Sequence, residues 1–117
     1  MGRPAVWIDV TASDAGRSRA FYAELFGWRL DVVEEIDYGL VEPGADGLAG
    51  GIGQAGEGHR HPVGAVAYIP VDDVDEALSR ASALGATTAV EPWTLPGMGT
   101  MAVVLDPDGR RIGLWGP

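Results

Sequence analysis

Only a few side chains in this sequence are of the kinds that act as metal ligands or as general acids and bases. The two histidines, His59 and His61, are separated by one arginine, so on a strand both would point to the same side. Such a pair can bind a metal ion if Glu42 or Glu57 supplies a further ligand. The carboxylate of Asp9 can act as a general base or bind the amine of a ligand. The glycine-rich stretch GQAGEGHRHP nevertheless favours a solvated loop at the histidines, and Asp9 is predicted at a solvated strand end because carboxylates are mostly exposed.

Other kinds of catalysis find no support in the sequence. Cysteine is absent, which excludes disulfides, thiolate nucleophiles and zinc sites built on sulfur. The serines are predicted on helices or at helix starts, and none lies at the sharp turn between strand and helix that presents a nucleophile. The glycines of AGGIGQAG lack the spacing and the following long helix of a dinucleotide-binding loop.

The charge of the chain restricts its partners. The formal net charge at pH 7 is -9, which would repel nucleic acids and anionic membranes. The first residues, MGRPAVWIDV, contain no long apolar run, so we expect neither a secretory signal nor a membrane span. We therefore predict a cytoplasmic protein with no nucleic-acid or membrane partner, one that tolerates a neutral or cationic ligand.

The predicted secondary-structure elements that position these residues have the same order in both halves of the chain. In the first half, alternating β-branched and aromatic residues predict strands, and Ser13 or Asp14 caps a helix that ends at Gly27. The predicted elements are a strand at 6–10, a helix to 26, and strands at 28–33, 38–42 and 48–54. In the second half they are a strand at 64–71, a helix capped by Asp72 or Asp73 and running to 84, and strands at 87–91, 100–105 and 111–115.

This repetition predicts an α+β fold made of two tandem βαβββ modules, residues 1–57 and 62–117. Half of the chain is too small to bury a core alone, so we expect the modules to form a single domain over residues 1–117. DPDG is a tight turn between the last two strands, and Trp93 falls in the loop PWTLPGMGTM that precedes them.

Three segments in this order resemble the vicinal oxygen chelate superfamily: SDAGRSRAFYAELFGW, VDDVDEALSRASALGA and DPDGRRIGLW. That superfamily includes glyoxalase I, extradiol dioxygenases and bleomycin-binding resistance proteins, and FYAELFGW is typical of a glyoxalase-like subgroup. The resemblance implies a curled mixed β-sheet around a cavity, and it implies a homodimer.

The resemblance also implies where a divalent metal would be held. The matching positions are the first strand at Trp7, the opening strand of the second module at Val66 (or Ala65 if the register slips by one), and the strand after DPDG at Gly113. None of these side chains offers the nitrogen or oxygen lone pairs that such an ion requires. We therefore expect no metal and no other cofactor.

Without a metal, the implied cavity is free for an apolar or aromatic molecule. Gly113 would leave room on its strand face, and aromatic side chains on that face and on the matching strands would contact the molecule. Core packing is the alternative for each aromatic residue, and a lid over the cavity is a further one for Trp93. The predicted ligand-binding residues are Trp7, Asp9, Val66, Tyr68, Trp93, Met101, Gly113 and Trp115.

The function predicted from these observations is a metal-independent small-molecule-binding protein, with sequestration of a drug or natural product as its role. The alternative is a glyoxalase-like lyase, isomerase or dioxygenase. Such an enzyme would bind its metal through displaced ligands such as Asp9, His59 and His61, or would work without metal with Asp9 as the acid–base group. The sequence leaves open whether the protein is an enzyme.

Overall fold

A computed structural model of the protein describes residues 7–42, 49–56, 61–97 and 99–117. The chain divides into two compact units, Met1–Ala65 and Val66–Pro117. The elements follow the order βαβββ twice, which confirms the α+β fold with two tandem modules. Among the described residues, no helix is long and apolar enough to cross a membrane.

The first unit has a mixed four-stranded sheet and one helix. Its strands lie in the order β2-β3-β4-β1, with β1 parallel to β4 and the other neighbours antiparallel. A short 3-10 helix, Glu34–Ile36, joins two of these strands. The elements are β1 (Trp7–Ala12), α1 (Ala15–Phe26), β2 (Leu30–Val33), β3 (Tyr38–Val41) and β4 (Ala49–Gln54).

Local signals define both ends of α1. The carboxylate of Asp14 accepts a hydrogen bond from the backbone N–H of Arg17 (3.1 Å) and satisfies one of the unpaired donors of the first turn. Gly27 ends the helix with φ of 70°, a left-handed conformation that glycine adopts without steric cost, and its N–H donates to the carbonyl of Ala23. Helix α1 therefore begins and ends where the sequence predicts.

Helix α1 packs on one face of the first unit's sheet. Ala15 and Ile52 are fully buried there. A cavity of about 10 Å³ remains between neighbouring apolar side chains, enough for about one water molecule, so it is too small for an organic ligand. Its lining includes Ile8, Val10, Trp28, Val41 and Ile52. The other face of this sheet carries Trp7 and Asp9.

The second unit repeats this arrangement. Its strands lie in the order β5-β8-β7-β6, with β5 parallel to β8 and the remaining pairs antiparallel. Asp73 caps the helix by accepting from the N–H of Glu76 (3.1 Å). The elements are β5 (Gly64–Pro70), α2 (Val74–Ala83), β6 (Thr87–Leu95), β7 (Gly99–Leu105) and β8 (Arg111–Gly116).

The position of Trp93 differs from the prediction. Trp93 lies in β6, which extends four residues beyond the predicted strand, and it pairs with Met101 of β7 rather than lying in a loop. Pro92 suggests that the strand ends before it. However, β6 is the outer strand in the order of the second unit's sheet, and its pairing register with β7 shifts between Val90 and Trp93. A proline is tolerated at such an irregularity because no regular ladder hydrogen bond is required of it.

The turn between β7 and β8 sets the register of these strands. The carboxylate of Asp106 accepts from the backbone N–H groups of Asp108 and Arg110, both at 2.9 Å, and Gly109 adopts a φ of 84°. Because this closed turn pairs Leu105 with Arg111, the following pairs place Gly113 directly beside Val103.

Candidate functional site

Six of the eight predicted ligand-binding residues share one face of the second unit's sheet. Met101 pairs with both Trp93 and Trp115, and directly paired residues project to the same side. Tyr68 pairs with Gly113 on the neighbouring strand pair, and Val66 shares the side of Tyr68 by strand alternation. We call the group Tyr68, Trp93, Met101 and Trp115 the aromatic face.

The side chain that approaches Gly113 is Tyr68 of the same unit. A Cβ atom at position 113 would lie 2.5 Å from Cγ and 2.7 Å from Cε2 of Tyr68, closer than real contacts allow. The Tyr68 side chain is 1% exposed, and its ring meets Trp93 edge-on with centroids 6.3 Å apart. The space that the sequence predicts for a ligand beside Gly113 is therefore occupied by this ring, because a strand glycine admits a neighbouring aromatic side chain.

The members of the aromatic face differ in their access to solvent. Tyr68 and Met101 are buried, whereas Trp93 and Trp115 are only partly buried. The two indoles are therefore the parts of this face on which a flat molecule can be placed without unpacking the core. The contact of all six residues with a ligand stays a prediction.

The other two predicted ligand-binding residues, Trp7 and Asp9, lie on β1 of the first unit. Two polar side chains lie close to the carboxylate of Asp9. The hydroxyl of Tyr38 donates to Oδ1 of Asp9 at 2.7 Å, and Nε2 of His61 lies 3.5 Å from Oδ2. The side chains of Asp9 and His61 are only 14% and 7% exposed. We call Asp9, Tyr38 and His61 the Asp9 cluster.

Two glycines of β4 allow Tyr38 to reach Asp9. Tyr38 pairs with Gly53, and Asp9 pairs with Gly51 on the other side of β4. The Tyr38 ring lies over both glycines: a Cβ at position 51 would overlap the ring, and one at position 53 would lie 2.7 Å from its Cδ1. The sequence analysis did not identify Tyr38 as a site residue. Two glycines with strand spacing near a tyrosine can nevertheless indicate that the tyrosine ring packs over them from a neighbouring strand.

Two expectations from the sequence are corrected by this cluster. Asp9 is mostly buried rather than solvated, and His61 packs against it rather than lying in a solvated loop. The burial is tolerated because a phenol and an imidazole beside the carboxylate offset part of its loss of hydration. His59 and Glu57, two further residues of the predicted metal alternative, lie outside the described residues, and Glu42 is exposed directly after β3.

The described residues do not fit the metal site that the resemblance implies. Trp7, Val66 and Gly113 have no donor atoms in their side chains, and Tyr68 covers Gly113. Within the part of the chain that the structure describes, no three histidines, aspartates or glutamates are grouped closely enough to hold a metal ion. Three or four converging donors are the usual requirement.

Comparison with known proteins finds a matching family and several sequence relatives, two of them from Streptomyces. The model of the Glyoxalase/Bleomycin resistance protein/Dioxygenase superfamily matches residues 5–114. The anthracycline biosynthesis protein DnrV of Streptomyces peucetius is 30% identical, and DauV of Streptomyces sp. (strain C5), with the same description, is 29% identical; each alignment covers 97% of this chain and 46% of the relative. The chain thus spans less than half the length of these curated relatives.

A solved structure supports the fold. A glyoxalase/bleomycin resistance protein/dioxygenase superfamily member from Vibrio splendidus 12B01 is 16% identical, with a TM-score of 0.69 over 96% of this chain and 97% of that one. At this identity the similarity concerns the fold alone.

Proposed function

The chain belongs to the Glyoxalase/Bleomycin resistance protein/Dioxygenase superfamily, and on this premise we propose that it is a metal-independent binding protein for a small apolar or aromatic molecule. The observation that carries the proposal is the aromatic face, where two partly exposed indoles lie on either side of Met101. Sequestration of a drug or natural product is the role we propose for this binding.

The spacing of the indoles suits a fused-ring molecule. Trp93 and Trp115 are two strands apart, which separates their backbones by about 10 Å. Indoles at that separation can contact different parts of one flat ligand in offset or edge-on geometry, and the flexible thioether of Met101 can adapt between them. The names of DnrV and DauV point in the same direction, because anthracyclines are flat, fused-ring aromatic compounds.

We expect an anthracycline to bind to the aromatic face. Titration with daunorubicin should quench the intrinsic tryptophan fluorescence, and Trp93→Ala or Trp115→Ala should each raise the dissociation constant by about tenfold, the loss typical of an aromatic contact. Isothermal titration calorimetry would measure the same constants without relying on the removed fluorophore.

Trp28→Phe is the matched control. Trp28 belongs to the first unit, where it stacks on Tyr22 and contacts Phe26 at a tilt, so its replacement should leave the dissociation constant unchanged. If the Trp93→Ala and Trp115→Ala variants bound daunorubicin as tightly as the wild-type protein does, the assignment of the aromatic face would be refuted.

The protein should also bind this ligand without a metal ion. Elemental analysis after purification without chelator is expected to find well below one divalent ion per chain, because the implied ligand positions carry no donors. A chelator should leave the daunorubicin titration unchanged. About one tightly bound ion per chain, or binding abolished by the chelator, would contradict the proposal.

The Asp9 cluster supports a second candidate, metal-free acid–base catalysis on a bound ketone or quinone. A carboxylate beside a phenol and an imidazole is a set of groups that can accept and return a proton. Such an isomerase would transfer deuterium from D2O to the carbon next to the carbonyl, and Asp9→Asn would stop this exchange while a neutral substrate still bound. NMR of candidate ketones tests this, and exchange at the rate of the protein-free reaction would eliminate the candidate.

A further inference from the structure

We infer that helix α1 is the contact surface of a homodimer, in which two copies of the chain pair their α1 helices antiparallel across a two-fold axis. This helix belongs to the first unit, whereas the aromatic face belongs to the second, so the dimer goes beyond the proposed function. The contact is made by the side of α1 that points away from its sheet, which we call the outer face of α1.

The outer face of α1 exposes large apolar side chains. Phe21 is 57% exposed and Leu25 is 58% exposed, and side chains four residues apart are neighbours on one side of a helix. Ala15 is fully buried and marks the opposite side. Exposed large apolar side chains that are grouped in this way are typical of an interaction surface. The exposed residues with the spacing of the outer face are Gly16, Arg17, Ala20, Phe21, Glu24 and Leu25.

Ring contacts hold the Phe21 side chain in place. Phe21 meets Tyr22 edge-on with ring centroids 5.2 Å apart, and Tyr22 in turn stacks on Phe26 at 6.1 Å and on Trp28 at 5.7 Å. Because the Phe21 ring already packs against a neighbouring ring, its burial in an interface costs little further conformational entropy. Phe21 thus has the properties of an aromatic anchor residue.

The outer face is complementary in shape to a second copy of itself. In one antiparallel register, Phe21 lies opposite the partner's Ala20. The same register places Leu25 opposite the partner's Gly16. Each large apolar side chain then meets a small residue, and the two-fold axis makes every contact twice.

The charged residues of the outer face favour the same partner and the same register. Arg17 lies opposite the partner's Glu24, so that the two-fold axis forms this ion pair twice. Within one helix the two residues are separated by two turns, about 10 Å, and neither forms an ion pair among the described residues. One positive and one negative charge leave this face neutral, whereas the net charge of -9 makes other surfaces of two copies repel each other.

The size of the outer face predicts a weak, reversible dimer. At their exposed fractions, Phe21 and Leu25 present on the order of 200 Å² of apolar surface per chain, to which the methylene groups of Arg17 and Glu24 add. A stable interface buries about 800 Å² on each partner. We therefore expect a dissociation constant of about 10–100 µM, as in transient complexes.

Sedimentation velocity of the wild-type chain from about 5 to 500 µM, which brackets this constant, should show a dimer that increases with concentration. Phe21→Ala should raise the dissociation constant at least about tenfold, because it removes the anchor. Leu84→Ala is the matched control: Leu84 lies at the end of α2 and is 73% exposed, so its replacement should leave the dimer unchanged.

Exchange of charges tests the register. Arg17→Glu and Glu24→Arg each place like charges opposite one another twice, and each should weaken the dimer about tenfold. An equimolar mixture of these two variants should dimerise as the wild type does, because a heterodimer restores both pairs of opposite charge. Arg80→Glu on α2 changes the net charge as Arg17→Glu does, and it should dimerise normally.

Three results would overturn the inference. The first is a wild-type chain that stays monomeric at all these concentrations, and the second is a dimer that Phe21→Ala does not weaken. The third is a mixture of Arg17→Glu and Glu24→Arg that dimerises no better than either variant alone. If Phe21→Ala fails to fold, the charge exchange decides, because it alters only exposed side chains.

Discussion

Replacement of Gly113 by alanine is expected to lower the free energy of unfolding by about 2 kcal/mol, the usual cost of forcing extra volume into a packed core. The added methyl group would meet Cγ and Cδ2 of Tyr68, atoms close to the root of a ring that is 1% exposed. The ring cannot swing aside without displacing its edge-on contact with Trp93, so the backbone must move instead. Urea denaturation followed by circular dichroism measures the change.

A double-mutant cycle tests whether Tyr68 causes this loss. Tyr68→Ala alone should cost about 3–5 kcal/mol, and in that background Gly113→Ala should become nearly neutral, because the methyl group enters the space left by the ring. Gly16→Ala provides the control: its Cβ would meet only an oxygen of Asp14, at 3.8 Å, and alanine favours the helix. Additive effects at positions 68 and 113 would show that the ring does not press on the glycine.

Truncation of Tyr38 is expected to destabilise the first unit strongly. Tyr38→Ala should cost about 3 kcal/mol, because it uncovers the backbone of Gly51 and Gly53 and leaves the buried carboxylate of Asp9 with one donor fewer. Tyr38→Phe keeps the ring over the glycines and should lose about 1.5 kcal/mol, the value of one hydrogen bond to a charged group. Thermal and urea denaturation of both variants separate the two contributions.

Tyr22→Phe is the control for the loss of a hydroxyl. Tyr22 lies on α1 within a group of stacked rings, and its replacement should change the stability by less than about 0.5 kcal/mol. If Tyr38→Phe were as harmless as Tyr22→Phe, the bond to Asp9 would not contribute to stability. If it were as harmful as Tyr38→Ala, the cover over the glycines would be unimportant.

Local patterns explain which parts of the fold were predictable. The ends of α1 depend on Asp14 and Gly27, which act within one helical turn, and the hairpin before β8 depends on the four residues DPDG. Such signals operate between near neighbours and so can be recognised along the chain. The extension of β6 through Pro92 was not predictable in this way, because the strand continues only where an irregular pairing with β7 accommodates the proline.

The candidate sites, like the fold, combine features that the sequence predicts with features that it does not. The sequence by itself determined the two βαβββ modules and the absence of metal donors at Trp7, Val66 and Gly113, since strand alternation and side-chain chemistry are properties of single segments. Only the tertiary structure decided that Tyr68 covers Gly113 and that Tyr38 donates to Asp9 across 29 positions of sequence. The physical reason is that these contacts join separate strands, and strand pairing with side-chain packing brings them together, whereas no local pattern records them.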